Sequence, residues 1–412
     1  MDQKPIKKLV IVGGGFAGLR ALYRLEDYEY RFEITLVDPN DYSLEKPALP
    51  ETVVEGKNPE RLRIELPPLM REHGAAFVQD RVERVDPEAK RIYLSGGEIL
   101  PYDYLILAAG AVKRYDAIPG YREYGYSFCD DVEAQRLQKR LESFEGGRIL
   151  LGIAPSRFGR GDEAPRLSTP WEGPLLEQAF LLDRLLRERG IRERSSIEIF
   201  TPADRIPESV GAGGQTPIEE RLRQREIRVY SARKIRALGT GGAECADGSV
   251  LEGDLLILIP PYEAPAFVEA SGLGDEAGWL PADRRMRHPR YPKIYAAGDL
   301  NALALPRMGY LAVHQADVAV SSILESEGLA AEGLEYRPGV FSVLDLGGAE
   351  GMLIYSDLLY GGSHDLAWES ALAKLMKMGF DAEYRFTHGH LPPEKVMESL
   401  ESILRQLSEK AD

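Results

Sequence analysis

Six residues, Gly13-Gly14-Gly15-Phe16-Ala17-Gly18, spell G-x-G-x-x-G directly behind a continuous apolar run at residues 7–12. The spelling alone is weak, but its surroundings are specific. A helical stretch, residues 19–25, follows, then a second strand-like run at 33–37 closed by Asp38, twenty positions beyond Gly18. Strand, glycine turn, helix, strand and acid in that order make a β-α-β unit, which demands parallel strands and helices on the faces of the sheet. Gly13 allows the tight turn, Gly15 lets the backbone approach a pyrophosphate, and Gly18 permits close packing of helix on strand. The helix start offers free N–H groups and a partial positive charge to phosphates. Asp38, followed by Pro39, would accept hydrogen bonds from a ribose. The fold expected is α/β, and the ligand expected is a dinucleotide.

The order then recurs. Residues 75–100 alternate like a hairpin with a Ser95-Gly96-Gly97 turn, and 104–107 is a buried strand ending at Ala108-Ala109-Gly110. Residues 131–144 read as a helix. A second unit starts with a strand at 148–154, a helix at 174–190 and a strand at 197–200. Another hairpin pattern at 227–259 turns at Asp247-Gly248. Two Rossmann-like domains are expected, with a small C-terminal segment ending in amphipathic helices at 366–378 and 394–407. The boundaries expected are 1–145 with 270–338 for the first domain, 146–269 for the second and 339–412 for the tail.

Composition excludes several classes. A net charge of −15 over 412 residues argues against nucleic acid as a partner. No run of 18 apolar residues predicts a transmembrane helix, and the first strand leaves no room before it for a cleavable leader. Two cysteines, Cys129 and Cys245, are too few for a disulfide scaffold and suggest a reduced, cytoplasmic setting. The six histidines show no metal-ligand spacing, so no metal is expected.

Two further motifs complete a set. Tyr295-Ala296-Ala297-Gly298-Asp299 closes a late strand, and Pro306-Arg307-Met308-Gly309-Tyr310-Leu311-Ala312 opens a helix. With the glycine fingerprint and the Ala109-Gly110 strand end, they resemble the two-dinucleotide-domain flavoproteins, the pyridine nucleotide-disulfide oxidoreductase superfamily. The resemblance implies FAD, with the Asp299 carboxylate on the ribityl chain. The helix start at Arg307, Gly309 and Tyr310 would lie against the flavin pyrimidine. Within that superfamily, residues 46–50 (KPALP), 125–129 (GYSFC), 172–174 (EGP), 259–262 (IPPY) and 306–312 resemble the sulfide:quinone oxidoreductases. That likeness implies an oxidoreductase passing two electrons from sulfide or another reduced sulfur species through FAD to a quinone. Lys46, Pro47 and Val82 are expected at the cofactor as well.

The sequence also departs from that family, which uses two cysteines as a redox disulfide over the flavin. Alignment on Glu172-Gly173-Pro174 puts Trp171 at one of those positions, and the late stretch 341–345 (FSVLD) has no cysteine. Cys129, near the family's third cysteine, is the candidate catalytic thiol, and a buried inert role is the alternative. Cys245, beside a turn, is expected at the surface. NAD(P)H binding would make the chain resemble a type II NADH:quinone dehydrogenase. The first strand of the second domain, at 148–154, is followed by Pro155-Ser156-Arg157, not a glycine turn, and the G-x-G-x-x-A spelling at 159–164 comes too late. A flavin-containing subunit or sensor with little turnover stays open. The tail helices would meet a membrane surface or a second subunit, and Lys374 and Lys377 make the first of them the better lipid anchor.

Overall fold

A computed structural model describes residues 5–159, 167–330 and 332–390. The chain enters through β1 (Lys7–Val12), α1 (Phe16–Leu25), β2 (Phe32–Asp38), β3 (Ala76–Gln79) and β4 (Tyr104–Leu107). It continues through β5 (Gly125–Tyr126), α2 (Asp131–Glu142), β6 (Gly147–Ile153), α3 (Gly173–Glu188), β7 (Ser195–Phe200), α4 (Ala212–Gln224), β8 (Ile227–Tyr230) and β9 (Leu255–Ile259). After β10 (Ile294–Ala296) and α5 (Gly309–Ser326) come β11 (Val340–Asp345), β12 (Gly351–Ser356), β13 (Asp365–Ser370) and α6 (Ala371–Phe386).

Two five-stranded parallel sheets result, ordered β10-β4-β1-β2-β3 and β5-β9-β6-β7-β8. Strand β10 pairs with β4, so the chain returns to its first sheet after building the second. The continuous apolar runs are explained by cover on both faces. Along β1, Leu9 and Ile11 enter one core while Val10 and Val12 enter another. Along β9, Leu255, Ile257 and Ile259 divide in the same way from Leu256 and Leu258.

Several expectations need correction. The run at 75–100 is not one hairpin. Its first part is β3, parallel to β2, and the rest is a three-stranded antiparallel ladder at Val82–Asp86, Arg91–Leu94 and Ile99–Pro101. The Ser95-Gly96-Gly97 turn joins the last two of these strands. The tail helix expected from residue 366 begins at Ala371. Residues 365–370 instead pair antiparallel with β12, opposing Trp368 to Leu353, and the Ser370 side chain caps the helix by accepting from the Ala373 N–H at 3.0 Å. Trp368 therefore shares no helical stripe with Leu372. Lys374 and Lys377 do not face outward: Lys374 pairs with Asp345 and Lys377 with Glu177. Cys245 is buried, not superficial, in a cluster with Leu256 and Leu258. The helix expected at 394–407 and most of the 159–164 spelling lie outside the described residues.

Candidate active site

Where the two sheets and the C-terminal segment converge, they enclose a cavity of about 780 Å³, within the usual range for cofactor pockets. Gly13, Gly14, Gly15, Phe16, Ala17, Asp38, Pro39, Lys46, Pro47, Val82, Ala109, Gly110, Gly298, Asp299, Arg307, Gly309, Tyr310 and Cys129 all face it. Gly18 lies behind the wall, where a Cβ would strike the Gly13 carbonyl oxygen at 1.8 Å. The strand ends and helix starts that carry these residues are far apart in sequence. Parallel sheets bring them together because every strand of the sheet delivers its C-terminal end to the same edge.

The fingerprint is shaped by its own backbone. Gly13 has φ +106°, a conformation glycine adopts without strain, and its missing Cβ leaves room for the Ala108 carbonyl. The Asp38 carboxylate accepts the Gly14 N–H at 2.7 Å and the Asn40 N–H at 2.8 Å, so it braces the turn. Burial raises its pKa against those two hydrogen bonds. A Cβ on Gly15 would meet nothing within 4 Å, which leaves an open cradle at the start of α1.

Arg307 supplies buried positive charge on the opposite wall. Its guanidinium lies over Trp279 at 4.5 Å and near Phe158 at 5.1 Å, and its backbone N–H donates to the Pro170 carbonyl at 2.7 Å. Burial lowers its pKa to about 10, with Asp299 the first opposing charge. Its Nε and Nη2 have no hydrogen-bond partner among the described residues. Buried cationic donors left open, a cradle at a helix start and the Asp299 carboxylate together suit a dinucleotide with a polar, electron-rich ring. FAD fits that set.

Around Cys129 the wall is basic and phenolic. Lys113 Nζ donates to the Cys129 carbonyl at 2.6 Å, and the Tyr262 hydroxyl lies beside the thiol. Burial pushes the Cys129 pKa up, and the Lys113 charge opposes that rise. Lys113 itself is lowered to about 8, by burial first and then by Lys46. Trp171 and residues 341–344 line the same cavity, so the two stretches that lack cysteines do converge on Cys129's pocket. The Trp171 indole folds over Gly173, where a Cβ would come within 2.4 Å of it. Lys113, Phe158 and Trp279 were invisible to motif reading, since each is an isolated residue brought in by tertiary packing. Tyr262 lay in a recognised segment without a role.

The start of α3, where a second dinucleotide would bind, is acidic. Glu172 is wholly buried there, held well above the carboxylate range by burial and by Glu208. Glu208 in turn accepts from the backbone N–H groups of Ser168 and Thr169 at 2.7 and 2.5 Å. Phosphate would meet two carboxyl groups there, and the N–H groups of Ser168 and Thr169 are already taken by Glu208.

Residues 7–149 match the pyridine nucleotide-disulphide oxidoreductase family. The chain is an FAD-dependent oxidoreductase. This flavoprotein is similar to the sulfide-quinone reductase of Aquifex aeolicus, 24% identical over 310 residues that cover 72% of this chain and 69% of the relative. An NADH dehydrogenase-like protein of Mycobacterium tuberculosis is 24% identical over 303 residues, 72% of this chain and 73% of the relative. The solved sulfide:quinone oxidoreductase from Aquifex aeolicus superposes with a TM-score of 0.85 over 96% of this chain and 95% of that one, at 21% identity. The flavoprotein thus shares that fold over nearly its whole described length. Among the described residues no helix is long and apolar enough to cross a membrane, and no His, Cys, Asp and Glu cluster could hold a metal.

Proposed function

We propose that the flavoprotein passes two electrons from a reduced sulfur species through FAD to a quinone. One observation carries the reading: Cys129 lies with Lys113 and Tyr262 on the wall of the cavity that the glycine fingerprint, Asp299 and Arg307 also line. In this reading the residues from Gly13 to Ala17 receive the pyrophosphate and Asp38 the ribose. Asp299 holds the ribityl chain, and Arg307 with the start of α5 faces the pyrimidine. Lys46, Pro47, Val82, Ala109 and Gly110 close the walls. FAD, when bound, supplies a two-electron carrier at this site. The chain's own part is to bind the donor beside Cys129, to lower the cost of its thiolate through Lys113, and to exclude water behind Trp171. The two sheets support an FAD-binding body formed by 1–145 and 270–338, with 146–269 between.

The names of the sulfide:quinone relatives supply the donor and acceptor classes. The mycobacterial relative suggests NADH instead, but the start of α3 is filled by the buried Glu172 carboxyl with Glu208 beside it, which leaves a pyrophosphate no place there. Anaerobic stopped-flow mixing decides: bleaching of the flavin by sulfide or a persulfide, but not by NADH, is expected. Bleaching by NADH alone would overturn the donor assignment. Contact with a membrane surface fits the outward stripe of α6, where Leu372, Leu375, Met378 and Phe386 are exposed. Co-sedimentation with neutral or anionic liposomes should fall when these four are changed to polar residues. Full-length protein that stays in the supernatant would reject it.

A further inference from the structure

The end of α6 lies against the turn that the sequence marks for a pyrophosphate. The Tyr384 ring stacks on Phe16 at 4.6 Å with 19° between the planes, and a Cβ on Gly309 would stand 3.1 Å from the same Phe16 ring. Phe16 thus joins three parts: the glycine turn, the start of α5 and the end of α6. Tyr384 is 3% exposed and lines the cavity with Lys377, Phe380 and Asp381 of the same helix. One wall of the cofactor cavity is therefore a single helix close to the end of the described chain.

Beyond Tyr384 the chain turns back onto α1. The Thr387 and Gly389 N–H groups donate to the Glu383 and Tyr384 carbonyls at 2.8 and 2.7 Å. Gly389 has φ +90°, and a Cβ there would stand 2.8 Å from the Leu19 side chain of α1, so glycine lets the two segments lie this close. Tyr23 of α1 donates its hydroxyl to the His388 carbonyl at 2.8 Å, and the His390 ring stacks on the Tyr23 ring at 4.5 Å. His73 meets that tyrosine edge-on at 5.0 Å. Arg385 reaches Glu45 at 3.5 Å. Neither Tyr23 nor His390 lines the cavity, and His388 and His390 are exposed. The other walls are strand ends and helix starts held within two parallel sheets. By contrast, ring stacks, a tyrosine hydroxyl and an ion pair fasten the end of α6 to the first domain. A segment with few fastenings and an exposed backbone is among the first to open locally.

We infer that residues 384–390 form a latched strap across the FAD site, and that release of its latch from Tyr23 sets how fast FAD enters and leaves. This rests on the placement of the pyrophosphate at Gly13–Ala17 proposed above. Because the latch lies outside the cavity, it holds the strap closed to the same degree with and without FAD. Loosening it raises the open population of both states equally. Loading and release then quicken by the same factor, and the affinity, which is their ratio, stays where it was. A residue that only builds the binding wall behaves otherwise: its loss speeds release, leaves loading alone and weakens affinity in proportion.

Tyr23→Phe tests this, because it keeps the ring and its stack and removes the hydroxyl alone. Release is timed by mixing holoenzyme with excess 8-chloro-FAD and following the exchange by absorbance. Loading is timed by mixing protein freed of flavin by bromide dialysis with FAD and following the flavin fluorescence. Both rates should rise about fivefold, the scale of one net hydrogen bond, while Kd stays within about twofold. His390→Ala, which removes the stack, should raise both rates in the same way. Hydrogen exchange at the Gly389 amide of the holoenzyme, a readout free of flavin kinetics, should quicken in both variants. Wild-type flavin rates in both variants, faster release with unchanged loading, or an unchanged Gly389 amide would each overturn the strap. A Gly15→Leu variant that still holds FAD would instead overturn the pyrophosphate placement on which the strap rests.

Discussion

A Cβ on Gly18 would lie 1.8 Å from the Gly13 carbonyl oxygen, whereas one on Gly15 meets nothing within 4 Å. The two glycines thus fail differently. Gly18→Ala forces α1 off β1 and should lower the stability of the protein by about 1–3 kcal/mol or more, read as a reduced urea midpoint with or without FAD. Gly15→Leu should fold normally, because its side chain enters the cavity, and should purify without flavin. The same scale governs the thiol. Cys129→Ser should slow sulfide-dependent flavin reduction by more than about tenfold, roughly 1.4 kcal/mol of barrier, and unchanged kinetics would leave Cys129 a packing residue. Lys113 opposes the rise of the Cys129 pKa, so Lys113→Met should move it further upward. An ultraviolet thiolate titration of that variant in a Cys245→Ser background checks the sign.

At the scale of elements, helix starts do the positioning. The start of α4 is held by Asp365 of β13, whose carboxylate accepts the N–H groups of Gly211 at 2.9 Å and Gly213 at 2.7 Å. With the Glu369–Arg221 pair, this side chain ties the C-terminal sheet to α4. Asp365→Ala leaves both donors without it and should cost about 1–3 kcal/mol, measured by urea unfolding. The start of α5 presents Arg307 to the cavity, and a positive charge there favours the reduced, electron-rich ring. Arg307→Met should lower the flavin midpoint potential by about 20–40 mV, the equivalent of roughly 1–2 kcal/mol for a two-electron couple. A potential that does not move would assign Arg307 to packing between Trp279 and Phe158. The correction at residues 366–378 belongs to this scale too. Apolar residues spaced like Trp368, Leu372 and Leu375 cannot distinguish a strand followed by a capped helix from one longer helix, and pairing of Trp368 opposite Leu353 decided it.

For the molecule as a whole, one cavity bounded by two sheets and the tail couples cofactor binding to folding. FAD at a hundredfold excess over its Kd should raise the unfolding free energy by about 2.7 kcal/mol, and a thermal midpoint indifferent to added FAD would contradict that coupling. Much of this architecture was legible in the sequence, because a glycine turn between strand and helix and a continuous apolar strand are local signals with few structural solutions. Residues 7–38 specify the first β-α-β unit, and the LLILI run specifies a strand covered on both faces. The fingerprint, Asp299 and Arg307 were readable for the same reason: each sits in a short motif at a strand end or helix start. Lys113, Trp279 and the depth of Cys245 were not. Each is a single residue in an ordinary stretch, and its protonation or burial depends on neighbours from other parts of the chain, as Lys113 depends on its burial and on Lys46. Sequence determines which backbone turns can cradle a dinucleotide; only packing in three dimensions decides which side chains lose their water, because desolvation is a property of the closed cavity and not of any segment that lines it.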